Sequence, residues 1–550
     1  MVFVLQKAKR LQRLYHTLKP LRFEQVWYRF MYKLLPLRQL KKVTAQQVSR
    51  PWLWRGPEVQ QASFLGNEQV CFLNLRASVN TAADWNNPAY EKLWLYNLHY
   101  FDDLNAVDSL SRKDEQLHLI HRWIAENPPV AGNGWEPYPL SLRLVNWIKW
   151  YNRAELDDQV VLGSIALQAQ ALSKQLEFHI LGNHLFANAK ALVFVGCFLQ
   201  GKEADSYLEL GLQLLKREIP EQFLADGGHF ELSPMYHCIL LWDLLDLINL
   251  AQLSENDKLS QVVESWRGYA LRAFDWLSTM THPDGEVSFF NDSTIGIAAS
   301  PEELVAYAYS IGLAVNSTAF PAVRTLAASG YSRVSMPAHT VLFDHAHVGP
   351  DYLPGHAHAD TLSLEWSVGT QRVLVNSGTS LYGVSAERLL QRKTCSHNTV
   401  VVDEQDSSEV WSGFRVARRA YAVLEKTEQS SEQVKLLASH NGYHRLKGKV
   451  THQRQLDVKD SSLIVKDKLT GRFSTAAACW FLHPDIQVQQ VSASELYFTL
   501  PAGTRVKVNA SAEVRLSDSL WYPGFGVSVP NKKLTVAFTS DELMISFSLE

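Results

Sequence analysis

YHRLKGKVTHQRQLDVKDSSLIVKDKL, residues 443–469, decides how the second half of this 550-residue chain folds. Apolar and polar residues alternate through it with a period of two, the signature of strands with one buried face. The same texture extends outward in both directions. Upstream it includes SRVSMPAHTVLFDHA, TLSLEWSV, QRVLVNSG and HNTVVVDE; downstream it includes AAACWFLHP, ELYFTLPA, TRVKVNASA and KLTVAFTS. Asn441-Gly442, Pro484-Asp485 and WYPGFGVSVP supply turns. More than ten strands with almost no long helix predict an antiparallel β-sandwich.

The pattern changes upstream of about residue 330. Helical spacing covers 105–126, 139–153, 159–178, 186–198, 204–217, 235–251, 260–280 and 301–314. Short breaks separate these runs, such as NPPVAGNG and LADGG, and Ser300-Pro301-Glu302-Glu303 reads as a capped helix start. Many helices with short links predict a bundle, a solenoid or a closed α/α toroid. The domain boundary falls near 315–330. Residues 1–75 are set apart as a basic helical arm, 76–320 as the helical domain and 321–550 as the sandwich.

Composition narrows the function. Apolar types make up 46% and charged types 20%, an ordinary globular balance, and the net charge of −3 does not suggest a nucleic-acid binder. Charge is uneven, however. Residues 1–50 hold twelve Lys/Arg and one acid, Glu24. With Phe3, Leu11, Tyr15, Phe23, Trp27 and Phe30 interleaved, that stretch suits an anionic membrane, polymer contact or plain packing. Five scattered cysteines form no CxxC pair and predict neither a disulfide framework nor a zinc finger. The N-terminus reads as neither a secretory signal nor a membrane span, which favours a cytoplasmic or membrane-peripheral location and leaves a periplasmic one open. GxGxxG, P-loop, HExxH and GxSxG motifs are missing.

Three polar constellations remain. Gly182-Asn183-His184 precedes a helical run; Asn183 either caps it or holds a substrate oxygen, with His184 beside it. Residues 227–237 open with two glycines and carry Glu231, Ser233, Tyr236 and His237 to a helix start. In the third, His356, His358 and Asp360 would share one face of a strand, followed later by His397. Such a face suits a metal, a hydrogen-bonded network or ordinary packing. Twelve of the sixteen tryptophans precede residue 330, and Trp135 and Tyr138 in GNGWEPYP are expected to be exposed and sugar-facing.

HILGNHLFANAKAL, ELSPMYH, YLPGHAHADTLSLEW, VNSG and QRKTCSHNTVVVDEQDSSEVWSGFRVARRA, in that order, resemble the heparinase II/III family of polysaccharide lyases. The resemblance runs from about Asn86 into the sandwich. It implies an incomplete α/α toroid followed by an antiparallel β-sandwich, and β-elimination of a uronic-acid-containing polysaccharide. It places the catalytic groups at Asn183, Tyr236 and His356. Trp135, Tyr138, Arg143, Asn146, His184 and His237 are the expected sugar-binding side chains. A structural Zn2+ would fall on His358, Asn376 and His397, with no organic cofactor. Relatives often carry Asp where this chain has Asn376, a weaker ligand for a divalent ion. The expected partners are an acidic polysaccharide and, peripherally, a membrane or polysaccharide-assembly machinery; a catalytically altered polysaccharide-binding protein is the alternative.

Overall fold

Thirteen α-helices form among the residues described in the computed structural model, which are 2–37, 39–41, 45–48, 51–315 and 319–550, with no side-chain description for 2–8. α1 (Val2–Leu18) and α2 (Phe23–Leu34) form the arm. The helical domain contains α3 (Lys92–Tyr100), α4 (Lys113–Glu126), α5 (Pro137–Arg153), α6 (Gln159–Ser173), α7 (Gly182–Phe198), α8 (Lys202–Gln222), α9 (Pro234–Ser254), α10 (Asp257–Ser260), α11 (Val263–Met280) and α12 (Pro301–Ser310). α13 (Ala386–Arg392) is a short helix within the β-rich half. Seven of the eight helical runs read from spacing coincide closely with α5–α9, α11 and α12. The eighth begins with two 3₁₀ turns, Asp102–Asn105 and Ser109–Arg112, before α4. The capping box at α12 is present: Ser300 Oγ accepts from the Glu303 N–H, and the Glu303 carboxylate accepts from the Ser300 N–H.

One apolar cluster runs through the helical domain. Trp52, Trp54, Phe64, Val70 and Phe72 belong to it. The separate arm is therefore limited to α1 and α2, because the chain from Trp52 onward is already committed to the helical core. Ten of the twelve early tryptophans are buried, the exceptions being Trp27 and Trp242. Most of the aromatic enrichment thus fills core volume.

The sandwich has two layers. One is an eight-stranded sheet in the spatial order Ala422–Gln429, Gln433–Tyr443, Val450–Lys459, Ser462–Thr470, Glu542–Leu549, Arg505–Ala510, Glu495–Thr499 and Gln487–Gln490. The facing layer joins a five-stranded meander, Val323–Leu374, to a four-stranded sheet through a bridge between Leu374 and Leu482. All pairings are antiparallel. Phe547 of the first layer packs on Trp366 and Trp480 of the second, with ring centroids 5.4 and 5.7 Å away.

The deciding stretch folds as a hairpin, with Lys459 opposite Ser462. Its alternation turns Val450, His452, Arg454, Leu456 and Val458 inward, so two basic side chains enter the core. Asp467 on the return strand meets both: His452 Nε2 lies 2.8 Å from Oδ1, and Arg454 donates to the two oxygens at 2.7 and 2.9 Å. The guanidinium also donates to the carbonyls of Leu362 and Asn398. Those two carbonyls belong to the segments that carry His358 and His397.

The two halves meet through a small apolar core, in which Leu232, Trp276, Met280 and Phe290 contact Leu326, Tyr331, Leu342 and Ala346. Buried polar contacts add to it: His282 Nε2 lies 2.9 Å from Glu365 Oε2, and Arg333 donates to the carbonyls of Thr279 and Thr281.

Candidate active site

A cleft of about 810 Å³ is lined by residues from the helical domain, the sandwich and the arm. The α7 terminus forms part of its wall. Leu181, at φ +71°, turns the chain into the helix, and position 182, at φ +58° with the Leu353 side chain where a Cβ would stand, takes glycine. Asn183 therefore stands inside the first turn rather than at the cap. Its side chain is free to hydrogen-bond Tyr138. His184 stacks on Tyr138 with centroids 4.3 Å apart and its Nδ1 lies 2.9 Å from Glu177 Oε1. Burial pulls the His184 pKa down, but Glu177 more than offsets this and leaves it raised.

Ser233 caps α9, its Oγ accepting from the Tyr236 N–H while donating to the Asp292 carbonyl. This presents Tyr236 from the first turn of α9. Its ring stacks on His356 with centroids 3.9 Å apart, and its hydroxyl lies 3.0 Å from that of Tyr382. Burial pushes the Tyr236 phenol well above its ordinary value, with Tyr382 adding to the shift, so it stands as a proton donor.

Residues 352–362 form a loop, so the expected strand face through His356, His358 and Asp360 does not exist. The two histidines converge instead on Asp292. His356 Nδ1 lies 2.9 Å from Asp292 Oδ2, and His358 Nε2 lies 2.8 Å from Oδ1. Arg388 of α13 forks onto the same carboxylate, and Thr379 donates to it. Burial alone would raise the Asp292 pKa; Arg388 and the two imidazoles reverse that and hold it well below the ordinary range. Asp292 thus orients the His356 ring through Nδ1 and leaves Nε2 as the nitrogen turned away from that carboxylate. That nitrogen lies 3.9 Å from Glu231, whose pKa is raised by burial. Asp360 turns away to accept from the Asn291 N–H, and burial, with Asp292 adding to it, raises its pKa.

Other expected sugar-binding residues are placed differently. Asn146 borders the cleft, but its amide is engaged by Asp102, the Tyr100 carbonyl and Asn105. Arg143 is fully buried under the Trp123 ring, donating to Gln168 and to the carbonyls of His99 and Gly134. His237 is also fully buried, bonded to the Ala273 carbonyl and stacked on Trp276. Trp135 is buried beside Trp123 and borders only a second, smaller depression. These three side chains serve the helical core and do not reach the cleft.

Asn376, His358 and His397 do come together. The His358 and His397 rings lie 5.2 Å apart, and Asn376 Oδ1 accepts from His397 Nδ1 at 3.2 Å. His358 Nδ1 and His397 Nε2 are buried with no hydrogen-bond partner among the described residues. Two imidazole lone pairs beside an amide already engaged by its neighbours fall short of a closed zinc site, which takes four protein ligands. Among the described residues no cluster of three His, Cys, Asp or Glu is arranged for a metal. The donor set therefore does not fit a structural zinc, and no chemical step below passes through one. A chelator is expected to leave the melting temperature within about 1 °C, whereas Asn376→Asp, by supplying an anionic third ligand, should carry more zinc through purification than the parent chain. Metal content by mass spectrometry and a thermal melt check both outcomes.

Asp292, Arg388 and Tyr382 are the candidates that the sequence did not reveal, and Glu231 was placed there only in the stretch before a helix start. The available signal was the polar NDST run directly after Phe289-Phe290. No helix among the described residues is long and apolar enough to cross a membrane.

The family model described as Heparinase II/III N-terminus matches residues 84–308, and that described as Heparinase II/III-like, C-terminal matches 320–548. A heparin-sulfate lyase of Bacteroides stercoris is 22% identical over 376 residues, 61% of this chain and 52% of the relative. The chain thus spans about half the length of that curated relative. A crystal structure of heparinase III superposes with TM-score 0.68 at 16% identity, covering 84% of this chain and 78% of the other. The heparan sulfate lyase HepC of Pedobacter heparinus gives TM-score 0.57 at 16% identity, covering 96% and 87%. These likenesses show the fold, an incomplete α/α toroid followed by an antiparallel β-sandwich.

Proposed function

Because this chain belongs to the heparinase II/III family, with the two family models spanning most of its length, we propose that it is a lyase cleaving a uronic-acid-containing polysaccharide by β-elimination. The observation that carries the reading is the stacked Tyr236–His356 pair in the cleft, a phenol held protonated beside an imidazole that Asp292 orients through Nδ1. That pairing supplies an acid and a base at one point, as elimination requires.

In this reading His356 Nε2 takes the C5 proton of the uronate. The C5–H electron pair becomes the C4=C5 bond as the C4–O4 bond breaks. Tyr236 gives its proton to the departing O4, and solvent restores both groups. The C5 proton becomes acidic enough only when the adjacent carboxylate is neutralised. Asn183, in the positive first turn of α7, offers its amide for that role. Glu231, whose pKa burial raises, lies beside it as a second polar group. Tyr138 and His184 form the neighbouring aromatic wall.

The cleft charge supports an acidic but not densely charged polymer. Five lysine and arginine side chains line it, and so do five Asp and Glu. Lys149 and Lys190, at its helical side, are already tied to Asp243 and Asp246. Digestion of defined uronate polysaccharides, read by ultraviolet absorbance and product mass, tests the reaction. A 4,5-unsaturated end is expected. Products gaining one water would instead establish hydrolysis, and binding without cleavage across the set would favour the binding-protein alternative. His356→Ala should lower the rate by about 10²–10⁴-fold while leaving the fold intact.

A further inference from the structure

The arm is amphipathic the wrong way round for a helix packed only on its own protein. On α2, Phe23, Val26, Trp27, Phe30 and Leu34 follow helical spacing and all face solvent, Phe23 being 79% exposed. The opposite face makes the protein contacts: Gln25 donates to the Tyr352 carbonyl, Tyr28 stacks on Phe178 and Tyr32 bonds the Leu176 carbonyl. On α1, Leu11, Tyr15 and Leu18 likewise face outward, while Thr17 accepts from Trp411 Nε1 and Arg13 meets Glu409. Phe3, which shares the sequence pattern, has a side chain outside the described residues. The two helices therefore straddle both domains and hold a continuous apolar stripe away from them.

The stripe carries positive charge. Lys9, Arg10, Arg29 and Lys33 are exposed on the same two helices, and Lys19 in the turn between them. Their single acid, Glu24, lies 3.3 Å from Arg217 of α8. The rest of the chain has the opposite balance, 41 Lys/Arg against 55 Asp/Glu over residues 51–550.

We propose that the outer face of α1 and α2 is a docking surface for an anionic lipid bilayer. Aromatic and branched apolar residues ringed by lysine and arginine suit the boundary between headgroups and acyl chains. A net-negative body is repelled by the same surface, so the charge asymmetry sets a single orientation. A second copy of this chain fits less well, since a symmetric contact would bring the arm cations against their own copies. Thr17 of α1, Leu21 of the connecting turn and Gln25 of α2 line the cleft, so docking holds the cleft beside the membrane. The proposal stands independently of the lyase reading.

Co-sedimentation of the full chain with vesicles tests it. Partition into phosphatidylcholine vesicles containing about one-third phosphatidylglycerol should exceed partition into pure phosphatidylcholine by at least tenfold, and should fall with added salt. The triple variant Phe23→Ser, Trp27→Ser, Phe30→Ser should lose about tenfold in partition. The charge variant Lys9→Glu, Arg10→Glu, Lys33→Glu should lose the preference for anionic lipid. Both variants change only exposed positions, and circular dichroism confirms their folding. Equal partition into the two vesicle types would overturn the proposal. So would full binding by the triple variant, or a vesicle-independent dimer that this variant dissolves.

Discussion

Tyr236→Phe is expected to reduce turnover on a cleavable uronate polymer by about 10³-fold, ~4 kcal/mol of transition-state stabilisation, with the protein still folded. The change removes one oxygen from a ring stacked on His356, so packing survives and the acid is lost. Tyr382 provides the control. Its hydroxyl reaches Tyr236 but its ring sits among Phe414 and Phe525. Tyr382→Phe should therefore cost about tenfold, acting through the orientation of Tyr236. Initial rates from absorbance of the unsaturated product, with melting temperatures of both variants, separate the two. A Tyr236→Phe enzyme of normal rate would remove the tyrosine from the chemistry altogether.

Arg454→Met should produce the largest loss of stability. It strips Asp467 of its guanidinium while leaving the carboxylate buried, a situation that costs about 3–5 kcal/mol. For a domain of this size that corresponds to a fall in melting temperature of about 10 °C. The double variant Arg454→Met, Asp467→Leu should recover much of the loss, because an apolar pair of similar volume removes the stranded charge. It should not recover activity fully: the carbonyls of Leu362 and Asn398 lose their donor, and the segments bearing His358 and His397 lose their anchor. Calorimetry and initial rates on the single and double variants distinguish the two contributions.

The change from helical to alternating periodicity was legible because burial imposes it on every element independently. Seven helices and the sandwich strands followed directly, as did the Ser300 cap. Asn183, Tyr236 and His356 were legible as a group only through motif order. Their meeting depends on loop paths, and the loop carrying His356 was misread as a strand because HxHxD also satisfies a period of two. Asp292 and Arg388 were not legible, because their partnership spans 96 positions and a short helix inside a β-rich region. Arg143 and His237 were misread for a different physical reason. A polar side chain buried against backbone carbonyls is indistinguishable, in sequence, from one aimed at a ligand.

The cleft borrows its groups from both halves of the polypeptide. Asn183 and Tyr236 leave the ribosome well before His356, Tyr382 and Arg388, and the clamp at Arg454 emerges later still. A chain that stops short of residue 356 carries only the tyrosine of the proposed acid–base pair, so in a lyase of this design the chemistry waits on the sandwich half of the sequence.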